Sequence, residues 1–280
     1  MTASIGRARA RIGLLGNPGD LYGGKVLAAT IDTFETVATV TDTVSSAPAS
    51  FQPDVADLQR LAVARVAPSK GAIALGLTTD VPLRSGLSGS SAILLATLRA
   101  LDAHLDLGLA PLEMAQIAWD IEREDLGLVA GPQDRVIQAL GGLQYMDFSG
   151  PDDIGVHESL DPDLLPPLLV AWPKEPGTPS GDVHRALWER WSAGDSALRQ
   201  SLAGFACEAA AANCAAVGAA QALERGDAGF EIAAAKLRAN RAVEVGTTVA
   251  HQVHGAIGFT HEYGLHPLTR RLWQWRSEYG

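Results

Sequence analysis

Positive charge, cysteine and long apolar runs are what this sequence has little of. Against 32 acidic residues stand 22 lysines and arginines, a formal net charge of −10. A surface that holds nucleic acid needs a basic face, so nucleic acid is excluded as the main partner. The arginines that do cluster (Arg7, Arg9 and Arg11, then Arg270, Arg271 and Arg276) read as solvated ends or helix faces. Only two cysteines occur, Cys207 and Cys214, seven positions apart in a helical stretch. A rise of ~1.5 Å per residue holds them too far apart to pair within it. With no metal-ligand company they are expected to be buried thiols in a reducing compartment. No stretch approaches the ~18 unbroken apolar residues of a membrane span. The opening MTASIGRARARIGLLG lacks the apolar run of a signal peptide. A cytoplasmic protein with no membrane partner is the expectation, and no internal repeat is evident.

What is present suits a folded chain. Its 280 residues are 47% hydrophobic and 19% charged, enough to build a core and too apolar for disorder. The first 45 residues are strand-rich: an apolar run at Ala10–Leu15, a turn by composition at Asn17-Pro18-Gly19-Asp20, then Val26–Ile31 and β-branched residues over Thr36–Val44. Gln52–Val66 carries helical spacing, Ala72–Thr78 is strand-like, and Ser91–Leu105 is a helix with serines at its start. Pro111 opens a helix to about Asp125, Gln133–Leu140 is helical, and Leu143–Phe148 and Leu168–Trp172 are strand-like. Strands and helices mix in an α+β pattern. From Val183 alanine dominates and helical spacing runs almost to Val253, which sets a division between domains 1–200 and 201–280.

The chemistry-bearing segment is Pro82-Leu83-Arg84-Ser85-Gly86-Leu87-Ser88-Gly89-Ser90-Ser91-Ala92. A Gly/Ser turn entering a helix presents free N–H groups and a positive dipole end to an anion. Hydroxyls of Ser88, Ser90 and Ser91 add donors, and Gly86 and Gly89 let backbone approach a phosphate. An ordinary N-capped helix after a flexible turn looks much the same. The whole arrangement resembles the second motif of the GHMP kinases, and Arg11–Lys25 looks like the sugar-recognition turn of that family's sugar kinases. With Ala130–Val136 and Gly141–Phe148, the resemblance is to the glucuronokinase-like subgroup and covers about residues 8–200. It implies a mixed sheet with helices on one face, followed here by a helical segment.

By this resemblance, ATP phosphates would lie on Pro82, Gly86, Leu87, Ser88, Gly89, Ser90 and Ser91. Mg²⁺ would be held by Ser91 and Glu122, with Glu124 as the alternative carboxylate. Asp134 would act as base or orient the acceptor hydroxyl, and Asn17 and Asp20 would contact sugar hydroxyls. Lys25 would reach a carboxylate or phosphate, and His184 reads equally as a structural or substrate-side residue and as a catalytic one. Read without the resemblance, Glu122–Asp125 is a solvated helix end, Asp134 an N-cap and Asn17–Asp20 a good turn. The family's third, glycine-rich motif has no counterpart after residue 200, so impaired catalysis is one expectation.

Ala233-Ala234-Ala235-Lys236-Leu237-Arg238-Ala239, His251-Gln252-Val253-His254-Gly255-Ala256-Ile257-Gly258-Phe259-Thr260 and Thr269-Arg270-Arg271-Leu272-Trp273 make residues from about 215 to 280 similar instead to the end of an acyl-CoA dehydrogenase. There Gln252, Gly255 and Gly258 would match a turn that lies against FAD, and Glu278 falls near that family's catalytic carboxylate. Four histidines (His251, His254, His261, His266) lack companions for a metal site, and Trp273 and Trp275 suit packing between helices or subunits. The segment reads as a helical association element through which the protein would form homo-oligomers. The expected activity is ATP-dependent phosphorylation of a sugar or uronic acid. Its alternatives are an FAD-using fragment or an inert fusion.

Overall fold

The computed structural model describes residues 3–42, 53–68, 73–82, 84–172, 180–254 and 265–278. The chain divides into two compact units, Met1–Arg185 and Ala186–Gly280.

The first unit is built on a sheet whose centre is one long strand. β1 (Ser4–Leu15) pairs antiparallel with β2 (Lys25–Thr41), which merges the two β-rich stretches of the sequence into a single bent ribbon. Along its other edge β2 pairs with β3 (Ala74–Thr79) through Thr36–Thr41 and with β4 (Leu143–Asp147) through Lys25–Ala29. β5 (Val156–Leu160) completes the sheet beside β4. All of these pairings are antiparallel.

Alternation along β1 shows which face is covered. Gly6, Ala8 and Ala10 are buried while Arg7 and Arg9 are exposed, as a period of two requires. At Arg9/Ala10 the register with β2 slips, Arg9 facing Glu35 and Ala10 facing Ile31. Beyond that slip Arg11 is buried next to buried Ala10, so the alternation that would send it to solvent is broken.

Helix α1 (Pro53–Val66) precedes β3, and α2 (Gly89–Leu105) comes after the Gly/Ser loop. α2 is buried on almost every side, which is why its sequence shows little amphipathic period. Ile93, Leu94, Leu95, Leu98 and Leu101 are fully buried in the core that α2 forms against β1 and β2. Contact with the sheet is close: a Cβ on Gly6 would sit 2.1 Å from the Ala96 carbonyl oxygen and 2.4 Å from the Ala100 nitrogen. α3 (Pro111–Asp120) runs into a π-turn at Ile121–Asp125, and α4 (Gln133–Leu140) leads into β4.

Two expectations are corrected. Leu168–Trp172 forms no strand; Leu168 and Leu169 are exposed, while Val170 packs against a small cluster containing Ala10, Val81 and Leu87 and the half-exposed Trp172 stands edge-on to Phe34 at 5.0 Å. Cys207 and Cys214 are exposed, not buried. They sit on α6 (Ser196–Arg225), whose buried residues are Leu198, Ala219 and Ala222.

α5 (Ser180–Ser192) spans the division between units. In the second unit α6 packs along α7 (Gly229–His254), where Gly246 makes room for the Phe205 ring: a Cβ there would fall 2.5 Å from it. α8 (Leu265–Ser277) is fastened to α7 by Trp273 Nε1 donating to Thr247 Oγ1 and by His251 with Thr269, both at 3.0 Å. Among the described residues α6 is long and apolar enough, by length and composition alone, to cross a membrane.

Gly6→Ala is expected to lower the unfolding free energy by ~1–3 kcal/mol, because backbone rather than a flexible side chain meets the added methyl. Urea unfolding of the variant beside the wild type measures it; an unchanged midpoint would show that β1 and α2 separate freely.

Candidate active site

Four pieces of chain converge on a buried charged cluster: the end of β1, the turn before β2, the π-turn and the start of α4. Each is shaped for it. Gly16, with φ +83°, lies so close to β2 that a Cβ would meet the Lys25 carbonyl oxygen at 2.0 Å, which allows the turn carrying Asn17 and Asp20 to fold back. The π-turn adds a residue to the helix end and separates its acidic side chains, a device common at functional sites. Glu122 is thereby buried (1% exposed), while Glu124 and Asp125 go to the surface and pair with Arg65 of α1 at 3.0 and 2.9 Å. Arg65 holds the Glu124 carboxyl below its usual range.

At the centre are two arginine–carboxylate contacts. Arg11 meets Asp134 and Arg135 meets Glu122, both arginines being nearly inaccessible. Arg11 also donates to the Gly86 carbonyl at 3.3 Å, and its backbone N–H to that of Leu87, which ties β1 to the Gly/Ser loop. Arg135 donates to the Gly131 carbonyl at 2.7 Å. Burial pulls its guanidinium down to about 9, a shift that nearby Arg11 reinforces and Asp20 opposes. Ser90 Oγ donates to Glu122 Oε1 at 2.8 Å, and Gln138 donates to the carbonyls of Arg9 (2.8 Å) and Ser88 (3.1 Å). Ser88, the N-cap of α2, holds a left-handed backbone (φ 60°).

Asp20 packs against the start of α4. It accepts from the Gln133 N–H at 3.1 Å, and Gln133 Nε2 donates to Asn17 Oδ1 at 2.5 Å. Glycine is needed at 131, since a Cβ would lie 2.0 Å from Asp20 Oδ2. Desolvation raises the Asp20 carboxyl to about 6, helped by the Asp134 charge and opposed by the Gln133 N–H and the two arginines.

The structure therefore gathers Asn17, Asp20, Glu122 and Asp134 with the Gly/Ser loop. Ser91 is buried, and its hydroxyl, like that of Ser88, has no hydrogen-bond partner among the described residues. Pro82 and Gly89 flank the loop, and the Leu87 side chain anchors it in the small cluster with Ala10 and Val81. Lys25 stands apart from this network. Its ammonium pairs with Asp147 at 3.1 Å, and hydrogen bonds from Ser149, then Lys25, hold that carboxyl down at about 2. Arg11, expected to be a solvated arginine, is corrected to a buried one. Arg135, Gln133 and Gln138 had no assigned part in the sequence, and Arg11 and Arg135 were legible there only as residues within longer motifs. The side chain of His184 and residues Gly255, Gly258 and His261 lie outside the described residues. Gln252 lies on α7, and no group of three His, Cys, Asp or Glu side chains placed to hold a metal occurs among the described residues.

The profile of the GHMP kinases N terminal domain matches residues 56–142. Glucuronokinase 1 of Arabidopsis thaliana is 33% identical over 233 residues, 70% of this chain and 64% of its own length. The N-terminal unit is GHMP-kinase-like. A D-glycero-alpha-D-manno-heptose 7-phosphate kinase of Campylobacter jejuni is 44% identical over 70 residues, 25% of this chain and 21% of its own. The phosphomevalonate kinase structure from Streptococcus pneumoniae, at 15% identity, covers 90% of this chain and 80% of its own with a TM-score of 0.55, a likeness of fold. The chain spans 64% of the length of Glucuronokinase 1 and of the probable glucuronokinase 2 of the same plant. Beside the GHMP-kinase-like unit, residues 183–274 match the acyl-CoA dehydrogenase C-terminal domain.

Because the folded-state value of Asp20 lies above its ordinary 3.8, its contribution to stability is complete below pH 3.8 and is lost as pH rises through about 6. Between pH 4 and pH 7 the stability of the wild type relative to Asp20→Asn should fall by ~2 kcal/mol. Urea unfolding of both proteins at the two pH values checks this; a constant difference would mean that Asp20 is solvated.

Proposed function

We propose that this chain is an ATP-dependent small-molecule kinase that phosphorylates a sugar or uronic acid. The observation that carries this reading is the pair of buried Arg11 with half-buried Asp134, fastened to the backbone of the Gly/Ser loop through Gly86 and Leu87. It sets a carboxylate beside a phosphate-type loop, as transfer of a phosphoryl group to a hydroxyl demands. Similarity to a glucuronokinase supports a uronic acid as acceptor and the anomeric hydroxyl as its reacting group.

In this reading the loop from Pro82 to Ser91 cradles the triphosphate with backbone N–H groups and the Ser88 and Ser90 hydroxyls. Asn17 and Asp20 hold the sugar, and Asp134 orients or deprotonates its hydroxyl. Arg11 fixes Asp134. Lys25 meets an acidic substrate group by exchanging Asp147 for it. Glu122 and Ser91 fit Mg²⁺: both are hard oxygen donors, and the buried Ser91 hydroxyl has no partner among the described residues. The metal would neutralise phosphate charge. Glu124, turned outward to Arg65, is less suited to that task. We place the protein in the cytoplasm, with homo-oligomers formed through the helical second unit.

The acyl-CoA dehydrogenase match favours a second reading, an FAD-using fragment or an inert fusion. Purified protein should be colourless, bind ATP·Mg²⁺ by calorimetry and transfer phosphate to one sugar or uronic acid in a screen. Asp134→Ala should keep nucleotide binding and lose ~10²–10⁴-fold in kcat. A yellow protein would favour the flavin reading, nucleotide binding without turnover of any sugar the inert one, and no nucleotide binding would sink the kinase.

A further inference from the structure

Arg135 has no task in the reaction proposed above, yet it is the most constrained cation in the cluster. Only 4% exposed, it touches Glu122 Oε2, donates to Gly131 and lies 3.8 Å from Asp134 Oδ2. The other Glu122 oxygen accepts from Ser90. Glu122 therefore has both oxygens occupied, while the neighbouring Ser91 hydroxyl is buried without a partner among the described residues.

A buried carboxylate has to be neutralised, by a guanidinium or by a metal ion. Both at one oxygen would crowd three positive charges into a low dielectric. Mg²⁺ also requires close, near-octahedral oxygen contacts that a guanidinium on the same atom obstructs. A guanidinium displaced from Glu122 need not be stranded, because Asp134 is within a short shift and Asp20 is near enough to act on its charge.

We propose that Arg135 is an internal counter-ion that holds Glu122 in place of the divalent cation and releases it only when the cation arrives with a nucleotide. The inference rests on the kinase reading. A free cation would have to evict Arg135 and leave extra positive charge in the cluster; one that arrives with a triphosphate brings the negative charge that offsets it. The free protein thus leaves divalent ions alone, and metal and nucleotide enter together.

Mn²⁺ tests this on the full chain, with free ion counted by electron paramagnetic resonance and melting followed in parallel. Without ATP the wild type should leave free Mn²⁺ unchanged; with ATP it should lower it below the level that ATP alone leaves, which is its uptake. Arg135→Gln should bind Mn²⁺ alone about tenfold or more tightly than the wild type does, and Mn²⁺ should raise its melting temperature but not that of the wild type. Arg135→Lys, which keeps the charge, should behave as the wild type. Equal uptake by wild type and Arg135→Gln without ATP would overturn the counter-ion role and leave the kinase reading standing. No Mn²⁺ uptake by the wild type even with ATP would overturn both. Where Arg135→Gln fails to fold, Mn²⁺ should restore it, and a Glu122→Gln/Arg135→Gln variant should fold without metal. A double variant that folds beside a single variant that Mn²⁺ cannot rescue would also overturn the role.

Discussion

The first unit depends on neutralising carboxylates that its own packing removes from water. Asp20, Glu122 and Asp134 come from three separated segments, and Arg11 and Arg135 are the cations that meet them. Paired, these charges are tolerable; with one partner gone, the remaining charge in an apolar interior costs several kcal/mol. The same contacts that close the unit also aim its reactive groups. Three acids stand against two guanidiniums; burial raises the Asp20 carboxyl, and the Asp134 charge adds to that rise.

Around this cluster the fold supplies rigidity by ordinary means. α2 is held by aliphatic packing on the sheet, with Gly6 removing the side chain that would keep them apart. Since the loop enters α2 directly, the core that fixes α2 also fixes the loop. Gln138 adds a polar link by donating to both the Arg9 and the Ser88 carbonyls. The second unit holds together differently, through small-residue packing of α6 on α7 and the threonine bonds of Trp273 and His251.

Much of the fold was legible because helix starts and strand runs are local. Pro111, the serines before α2 and the β-branched residues of β2 each act on their own backbone, and elements formed where they stood. Leu168–Trp172 misled because an apolar run need not be buried: Leu168 and Leu169 stay exposed and only Val170 joins a core cluster. In the site, Asp134 and the Gly/Ser loop were readable as parts of a pattern. Arg11 was not: Arg7, Arg9 and Arg11 share one period, and only a register slip in the pairing with β2 turns the third inward. Arg135 escaped for a similar reason, since its importance lies in a contact with Glu122 that spacing does not reveal. The exposure of Cys207 and Cys214 was equally hidden, because an Ala-rich helix gives no contrast between faces.

The π-turn at Ile121–Asp125 sets a rule for how this segment can change over time. Its outward residues Arg123, Glu124 and Asp125 can drift in identity, since they meet water and surface charges, Asp120 and Arg65 among them. Its length cannot. One residue lost there would restore a plain α-helix and rotate the downstream chain by ~100°, moving Glu122 and the approach to α4 out of step. Lineages descended from this chain should therefore tolerate spelling changes across the turn and eliminate single-codon deletions.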